Sequence, residues 1–255
     1  MQFGVCADPE DAAWIPSAGA DFIEGHVQKF LKPAEETWEP AVGPDALPLP
    51  LAAYNCFLPG DLKVTGPNVD TKRLAAYAAR AFARARRMGS SLIVFGSGAA
   101  RMVPGGWPHE KAADQLAKAM RIVGPLAHAE GITVAMEPLN RGETNILNSV
   151  ADGLHYVRRA KAEGLTVLCD FYHLAVEEEP LGNLDAAKGL LSHVHIAEPV
   201  GRVAPGPNMT DYRPFFAKLK AIGYDARISL ECTWDDMRSQ LAPTLEFLRR
   251  EWEAA

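Results

Sequence analysis

Four side chains able to hold a metal ion or move a proton stand at the ends of four successive apolar runs. Glu137 closes ITVAME, Asp170 closes TVLCD, His195 lies in HVHIAE and Glu231 closes RISLE. Neighbouring strands of a sheet lie about 4.8 Å apart, so side chains from four adjacent strand ends can converge on one point. Three carboxylates and one imidazole suit a divalent ion of intermediate hardness, such as Mn²⁺, Co²⁺ or Mg²⁺, with Zn²⁺ also within range. His193 shares a strand side with His195 but lies deeper, and is expected as a packed or hydrogen-bonded layer residue. Cys169 and Cys232 neighbour Asp170 and Glu231, and strand alternation turns them away as small buried residues. Glu24 and His26 end an earlier run in the same manner.

Three more charged residues stand a short step beyond these ends. Glu143 follows Glu137 in EPLNRGETN, His173 follows Asp170 in DFYH, and Arg202 sits in the Gly-Arg turn of EPVGRVAPGPN. All three are expected in loops above the metal point. Phe57 and Trp107 could roof an apolar part of the same pocket. FGSGAAR lacks the third glycine of a dinucleotide fingerprint, the lysine of a phosphate loop and the spacing of a nucleophile elbow.

These residues need a frame that brings strand ends together. Eight apolar runs qualify as strands buried on both faces: 3–8, 21–26, 49–56, 91–97, 132–138, 166–171, 193–198 and 227–232. Helical patterns occupy 73–88, 110–130, 149–163, 211–222 and 236–252, with Gly124 and Pro125 expected to break or kink the second. Ser149 and Asp152 have the spacing of a capping box. Pro16, Pro33, Pro40 and Pro44 interrupt the segments after the first two strands. Gly89, Gly131, Gly164 and Gly223 each stand between a helix and the strand that follows, where a left-handed residue closes the helix. Eight strands alternating with helices predict one closed (β/α)8 TIM barrel over residues 1–255, with chemistry at the C-terminal mouth. An open doubly wound sheet would want a glycine-rich first turn, and ADPED is none.

Composition narrows the function classes. Of 255 residues 48% are apolar and 23% charged, the balance of a globular chain. Twenty-six Lys and Arg against 32 Asp and Glu give a net charge of −6, with no basic block to hold nucleic acid. No apolar run approaches the roughly 18 residues of a membrane span. The start, MQFGVCADPEDA, is not expected to act as a signal peptide. Four dispersed cysteines fit no zinc pattern and suggest reduced thiols in the cytoplasm.

The strand-end set, with EPLNR-x-ETN, D-x-x-H and H-x-x-E, resembles the xylose-isomerase-like sugar isomerase/epimerase superfamily. The resemblance covers the last four strands, and within the superfamily the ligand set is similar to that of ketose 3-epimerases. It implies Glu137, Asp170, His195 and Glu231 as ligands of Mn²⁺ or a similar ion. It implies Glu143, His173 and Arg202 as substrate contacts, and loosely Cys56. The loop GRVAPG looks more like that of hydroxypyruvate isomerase, a family that carries Gln where this chain has His195. Endonuclease IV shares the barrel, but its extra histidines on the third and fourth strands have no counterpart in Tyr54-Asn55-Cys56 or Val94-Phe95-Gly96.

The chemistry expected is removal of a proton from a carbon beside a carbonyl. Glu137 and Glu231, two strands apart, can flank a substrate, one taking a proton and the other returning one on the opposite face. The expected partner is a small sugar, with no nucleic acid and no membrane; homo-oligomerisation stays open. A dehydratase of a keto-sugar or keto-cyclitol, hydroxypyruvate isomerase and a sugar-binding barrel without chemistry are the competing readings.

Overall fold

Strand follows strand around a closed ring in the computed structural model, which describes residues 1–40, 42–207 and 209–255. The strands are β1 (Gln2–Cys6), β2 (Phe22–His26), β3 (Leu51–Asn55), β4 (Leu92–Phe95), β5 (Thr133–Met136), β6 (Leu165–Asp170), β7 (Leu191–Ile196) and β8 (Arg227–Leu230). All neighbours are parallel, and β8 pairs back onto β1. Each lies within two residues of a run read from the sequence. The fold is a closed (β/α)8 TIM barrel.

The helices are α1 (Thr71–Arg87), α2 (Gly98–Arg101), α3 (His109–Ala129), α4 (Val150–Ala160), α5 (Phe171–Val176), α6 (Arg213–Ala221) and α7 (Met237–Ala254). Side chains start several of them. Asp70 accepts from the N–H groups of Lys72 and Arg73, Ser149 from Asp152 and Asp236 from Arg238. The four expected stop glycines all have φ between 69° and 78°. After β1 and β2 the proline-rich segments form only short turns, among them Pro9–Asp11, Ile15–Ala18 and Pro44–Ala46.

One helix departs from expectation. α3 runs through Gly124 and Pro125 without a break. Gly124 lies so close to the carbonyl of Glu163 that a Cβ there would sit 2.5 Å from it. Packing of α3 against the neighbouring turn thus outweighs the hydrogen bond that Pro125 cannot make.

Alternation along the strands divides the interior in two. The main core lies between barrel and helices, and includes Phe82, Leu116, Phe215 and Leu248. Ala53, Leu92, Val94, Ala135 and Leu168 form a separate buried cluster that fills the lumen. Phe22 joins this filling, its ring edge-on to His193 at 6.3 Å. Above that layer the strands end in Glu24, Asn55, Glu137, Asp170, His195 and Glu231. Residues Glu24 and His195 belong to non-adjacent strands, yet both are fully buried in the same layer.

Candidate active site and metal centre

Parallel register sets the four expected ligands side by side. Asp170 pairs with His195, and His195 with Ser229, two residues short of Glu231. One ligand atom from each of Glu137, Asp170, His195 and Glu231 falls within 4.8 Å of the others. His195 is the hub. Its Nδ1 lies 3.2 Å from Glu137 Oε1 and 3.3 Å from Glu231 Oε2. Space for Glu137 comes from Gly96, where a Cβ would stand 2.0 Å from Glu137 Oε2.

The cluster is electrostatically crowded. Burial, then Glu231 and Glu137, pushes Asp170 up to about 7. Burial and Glu231 likewise raise Glu137. Burial would raise Glu231 too, but the His195 ring and Arg202 hold it at about 2. Burial would lower His195, yet Glu24 and Glu231 keep its ring charged well above the usual imidazole range. Three buried carboxylates this close cannot all ionise at low cost without positive charge among them. The donor set, oxygen-rich with one nitrogen, fits a divalent metal ion.

The residues expected beyond the strand ends also gather here. Arg202 donates from Nη2 to Glu231 Oε2, and from Nη1 to Glu143 Oε1 at 3.3 Å. The same guanidinium stands 3.5 Å from Asp170 Oδ2 and 4.8 Å above the Tyr172 ring. Gly201 and Arg202 are both left-handed, with φ of 75° and 51°, which turns the loop so that Arg202 faces the mouth. His173 is not in a loop as expected, for it lies in α5, a short helix that starts directly at Asp170. The Asp170 side chain accepts the Tyr172 N–H and so caps that helix. His173 Nδ1 accepts the Asn140 backbone N–H at 3.1 Å, which leaves the proton on Nε2. That Nε2 is buried without a hydrogen-bond partner among the described residues. Burial and Arg202 hold the ring down at about 3, so His173 offers a neutral donor.

A cavity of about 270 Å³ opens at the mouth, with Glu137, Glu143, Glu231, Arg202, Cys56 and His26 in its wall. A second hollow of about 300 Å³ adjoins it through His26, with Asp8, Asn55, Trp234 and Met237 in its wall. The Cys56 thiol is pushed up to about 12 by burial and Glu231 and stays neutral. A larger cavity, about 450 Å³ around Phe30, Trp38 and Met88, contains none of the expected site residues.

Two expected roof residues lie elsewhere. Phe57 is fully buried among Tyr77, Phe82 and Phe95, with ring centroids 5.4 to 6.1 Å away. Trp107 donates to Gln115 at 3.1 Å and carries Lys111 over its face, which ties it to α3. Both gain more from these partners than from a solvent-filled mouth.

Two contacts escaped the sequence. Asn55 Nδ2 donates to Glu231 Oε1 at 2.9 Å. Glu24 accepts from both barrel histidines, 2.9 Å from His195 and 2.7 Å from His193. The available signal was Glu24 as an acidic residue inside a strand otherwise buried. His193 is the expected layer residue, fully buried and 3.0 Å from Ser229.

Comparison with known proteins bears on the barrel that carries these residues. A family model described as xylose isomerase-like TIM barrel matches residues 12–251. The 3-dehydro-D-guloside 4-epimerase of Escherichia coli (strain K12) is 33% identical over 113 residues, 44% of this chain and 43% of that protein. The L-ribulose 3-epimerase of Methylomonas sp. (strain DH-1) is 32% identical over 151 residues, 58% of this chain and 52% of that protein. The chain thus spans about half the length, or less, of the curated relatives it matches. Among solved structures, 3-keto-D-glucoside 4-epimerase from E. coli superposes with a TM-score of 0.83 at 22% identity, covering 98% of this chain and 99% of that one. D-Allulose 3-epimerase from Methylomonas sp., in complex with D-allulose, gives 0.85 at 24% identity, covering 98% of this chain and 97% of that one. At these identities the superpositions speak for the fold alone.

Proposed function

The chain belongs to the xylose isomerase-like TIM barrel family, and from that premise we propose that it is a metal-dependent epimerase of a keto-sugar. One observation carries the reading: four donor groups meet at a single point, and two of them, the glutamates at the ends of β5 and β8, stand in the wall of a mouth cavity. The sugar epimerases among its relatives support the substrate class.

Glu137, Asp170, His195 and Glu231 would hold the ion, with Mn²⁺ as our choice. A bound divalent ion supplies Lewis acidity, which stabilises negative charge on a carbonyl oxygen. The remaining work belongs to side chains. Glu137 and Glu231 come from the ends of β5 and β8 and stand 3.2 and 3.3 Å from His195 Nδ1, and we assign them to opposite faces of a sugar bound over the cluster. One takes the proton beside the carbonyl and the other returns a proton to the opposite face. His173 Nε2–H and the Arg202 guanidinium donate to substrate oxygens, Glu143 accepts from a hydroxyl, and Cys56 contributes a neutral wall. We take residues 1–255 as one barrel domain, with four unpaired thiols that suit the cytoplasm.

The test is product analysis with Mn²⁺ and a panel of free and glycosidic keto-sugars in deuterated water. An epimer carrying deuterium at the inverted carbon is expected. Loss of water to an unsaturated or deoxy-keto product would replace the epimerase reading with a dehydratase. Glu137→Gln and Glu231→Gln should each lower turnover at least a hundredfold, with metal content measured on each variant.

A further inference from the structure

Glu24 has no place in the chemistry above, yet it is fully buried and makes three hydrogen bonds. Its Oε1 lies 2.9 Å from His195 Nε2. Its Oε2 lies 2.7 Å from His193 Nε2 and 2.6 Å from Ser229 Oγ. A register irregularity in the β2–β3 pairing falls between Ile23 and Glu24, and the carboxylate reaches across the lumen to β7 and β8.

The other nitrogen of His195 faces the ligand cluster, 3.2 Å from Glu137 and 3.3 Å from Glu231. A neutral imidazole has one N–H and one lone pair, and only the lone pair can bind a metal. A carboxylate can only accept. Glu24 therefore keeps the N–H at Nε2, so the proton that an ion would displace from the charged ring is the one on Nδ1, the nitrogen among the ligands. Ser229 and His193 hold the carboxylate in turn, so neither Glu24 nor the His195 ring is free to rotate.

We infer that Glu24 is a positioning residue: it fixes the His195 ring and tautomer so that Nδ1 is presented as a ligand. The inference rests on the metal reading proposed above. A different role is open to the same atoms, since Cys6, Glu24 and His195 also bring ligand atoms within 4.8 Å of one another. Three donors on two Glu24 oxygens argue for a hydrogen-bonded post rather than a second cation site.

Titration calorimetry of metal-free protein with Mn²⁺ is the first test. Wild type should take up one equivalent. Glu24→Ala should bind 10- to 100-fold more weakly, the usual loss when such a support is removed. Glu24→Gln keeps an oxygen that can accept from Nε2–H and should recover most of that loss. If Glu24→Ala does not fold, Ser229→Ala serves, because it removes one of the two groups that hold the carboxylate and keeps the His195 side chain; a severalfold weakening is expected. The second readout is histidine ¹⁵N NMR of the Zn²⁺-loaded protein. His195 should carry a slowly exchanging proton on Nε2, and that signal should be lost in the folded Glu24→Ala or weakened in Ser229→Ala. Affinity within twofold of wild type in a folded Glu24→Ala overturns the inference, as does a proton on Nδ1. Two Mn²⁺ per chain, with the second lost in Glu24→Ala, would make Glu24 a ligand instead. Wild type that takes up no Mn²⁺ overturns the metal reading itself, a result separate from any effect of the variants.

Discussion

At the scale of the residue, the site depends as much on an atom left out as on those present. Glu137 can lie against β4 because position 96 has no side chain. An alanine there would place its Cβ 2.0 Å from Glu137 Oε2, well inside contact distance. The φ of Gly96 is not in the left-handed region, so the backbone itself tolerates alanine. Gly96→Ala is therefore expected to fold, at a cost of about 1–3 kcal/mol for overpacking. The displaced carboxylate should weaken Mn²⁺ binding at least tenfold. Calorimetric titration alongside a melting curve checks both, and unchanged affinity would mean Glu137 is not needed to bind the ion. Arg202 makes the complementary point. It hydrogen-bonds to Glu231 and lies over Tyr172, so its charge balances part of the cluster.

At the scale of the element, the loop after β7 carries Arg202 and is held by a buried acid. Glu198 is 2% exposed and accepts from the Gly206 N–H at 3.3 Å and the Thr210 hydroxyl at 2.6 Å. Its own N–H donates to the Val203 carbonyl at 2.9 Å, and Val203 pairs with Thr233 beyond β8. Glu198→Ala would leave these donors unpaired, at about 1–3 kcal/mol. Hydrogen exchange in the loop around Arg202 should quicken by about tenfold, while Mn²⁺ stoichiometry stays the same. Exchange measured by mass spectrometry, with metal analysis on the same sample, decides it. Rigid exchange in the variant would place the hold on this loop elsewhere, at the Val203–Thr233 pairing.

The elements also explain what could be read from the sequence. Strands buried on both faces appear as unbroken apolar runs, so all eight could be placed, and a polar residue ending such a run stands out. That was enough to name Glu137, Asp170, His195 and Glu231. Glu24 ended a run too, but its partners lie 169 and 171 residues away, and alternation gives a side of the strand, not the neighbour across the lumen. α5 was missed because its start depends on the Asp170 side chain capping it, while six residues are too few to show a helical period. Pro125 misled because its local penalty is visible in the sequence and the tertiary packing of Gly124 is not.

For the whole molecule, an ion held as proposed would join strands from the second half of the barrel, so binding and stability would be linked. Mn²⁺ at a hundred times its dissociation constant should stabilise the fold by about 2.7 kcal/mol. For a chain of this size that raises the melting temperature by roughly 5–10 °C, and EDTA should reverse the rise. Calorimetry in the two conditions tests it, and coincident melting curves would count against an ion that binds only the folded chain.

The plugged lumen has one more consequence. Phe22, Ala53, Leu168, His193 and Ser229 are all buried beneath the carboxylates, so the barrel is a cup rather than a tube. Whatever reaches the bottom of the cup must leave by the rim it entered. Arrival and departure share one doorway, and a spent molecule has to vacate before its successor can sit down. An impostor that fits but cannot react therefore bars the door for as long as it stays, which makes residence time the quantity that governs the traffic.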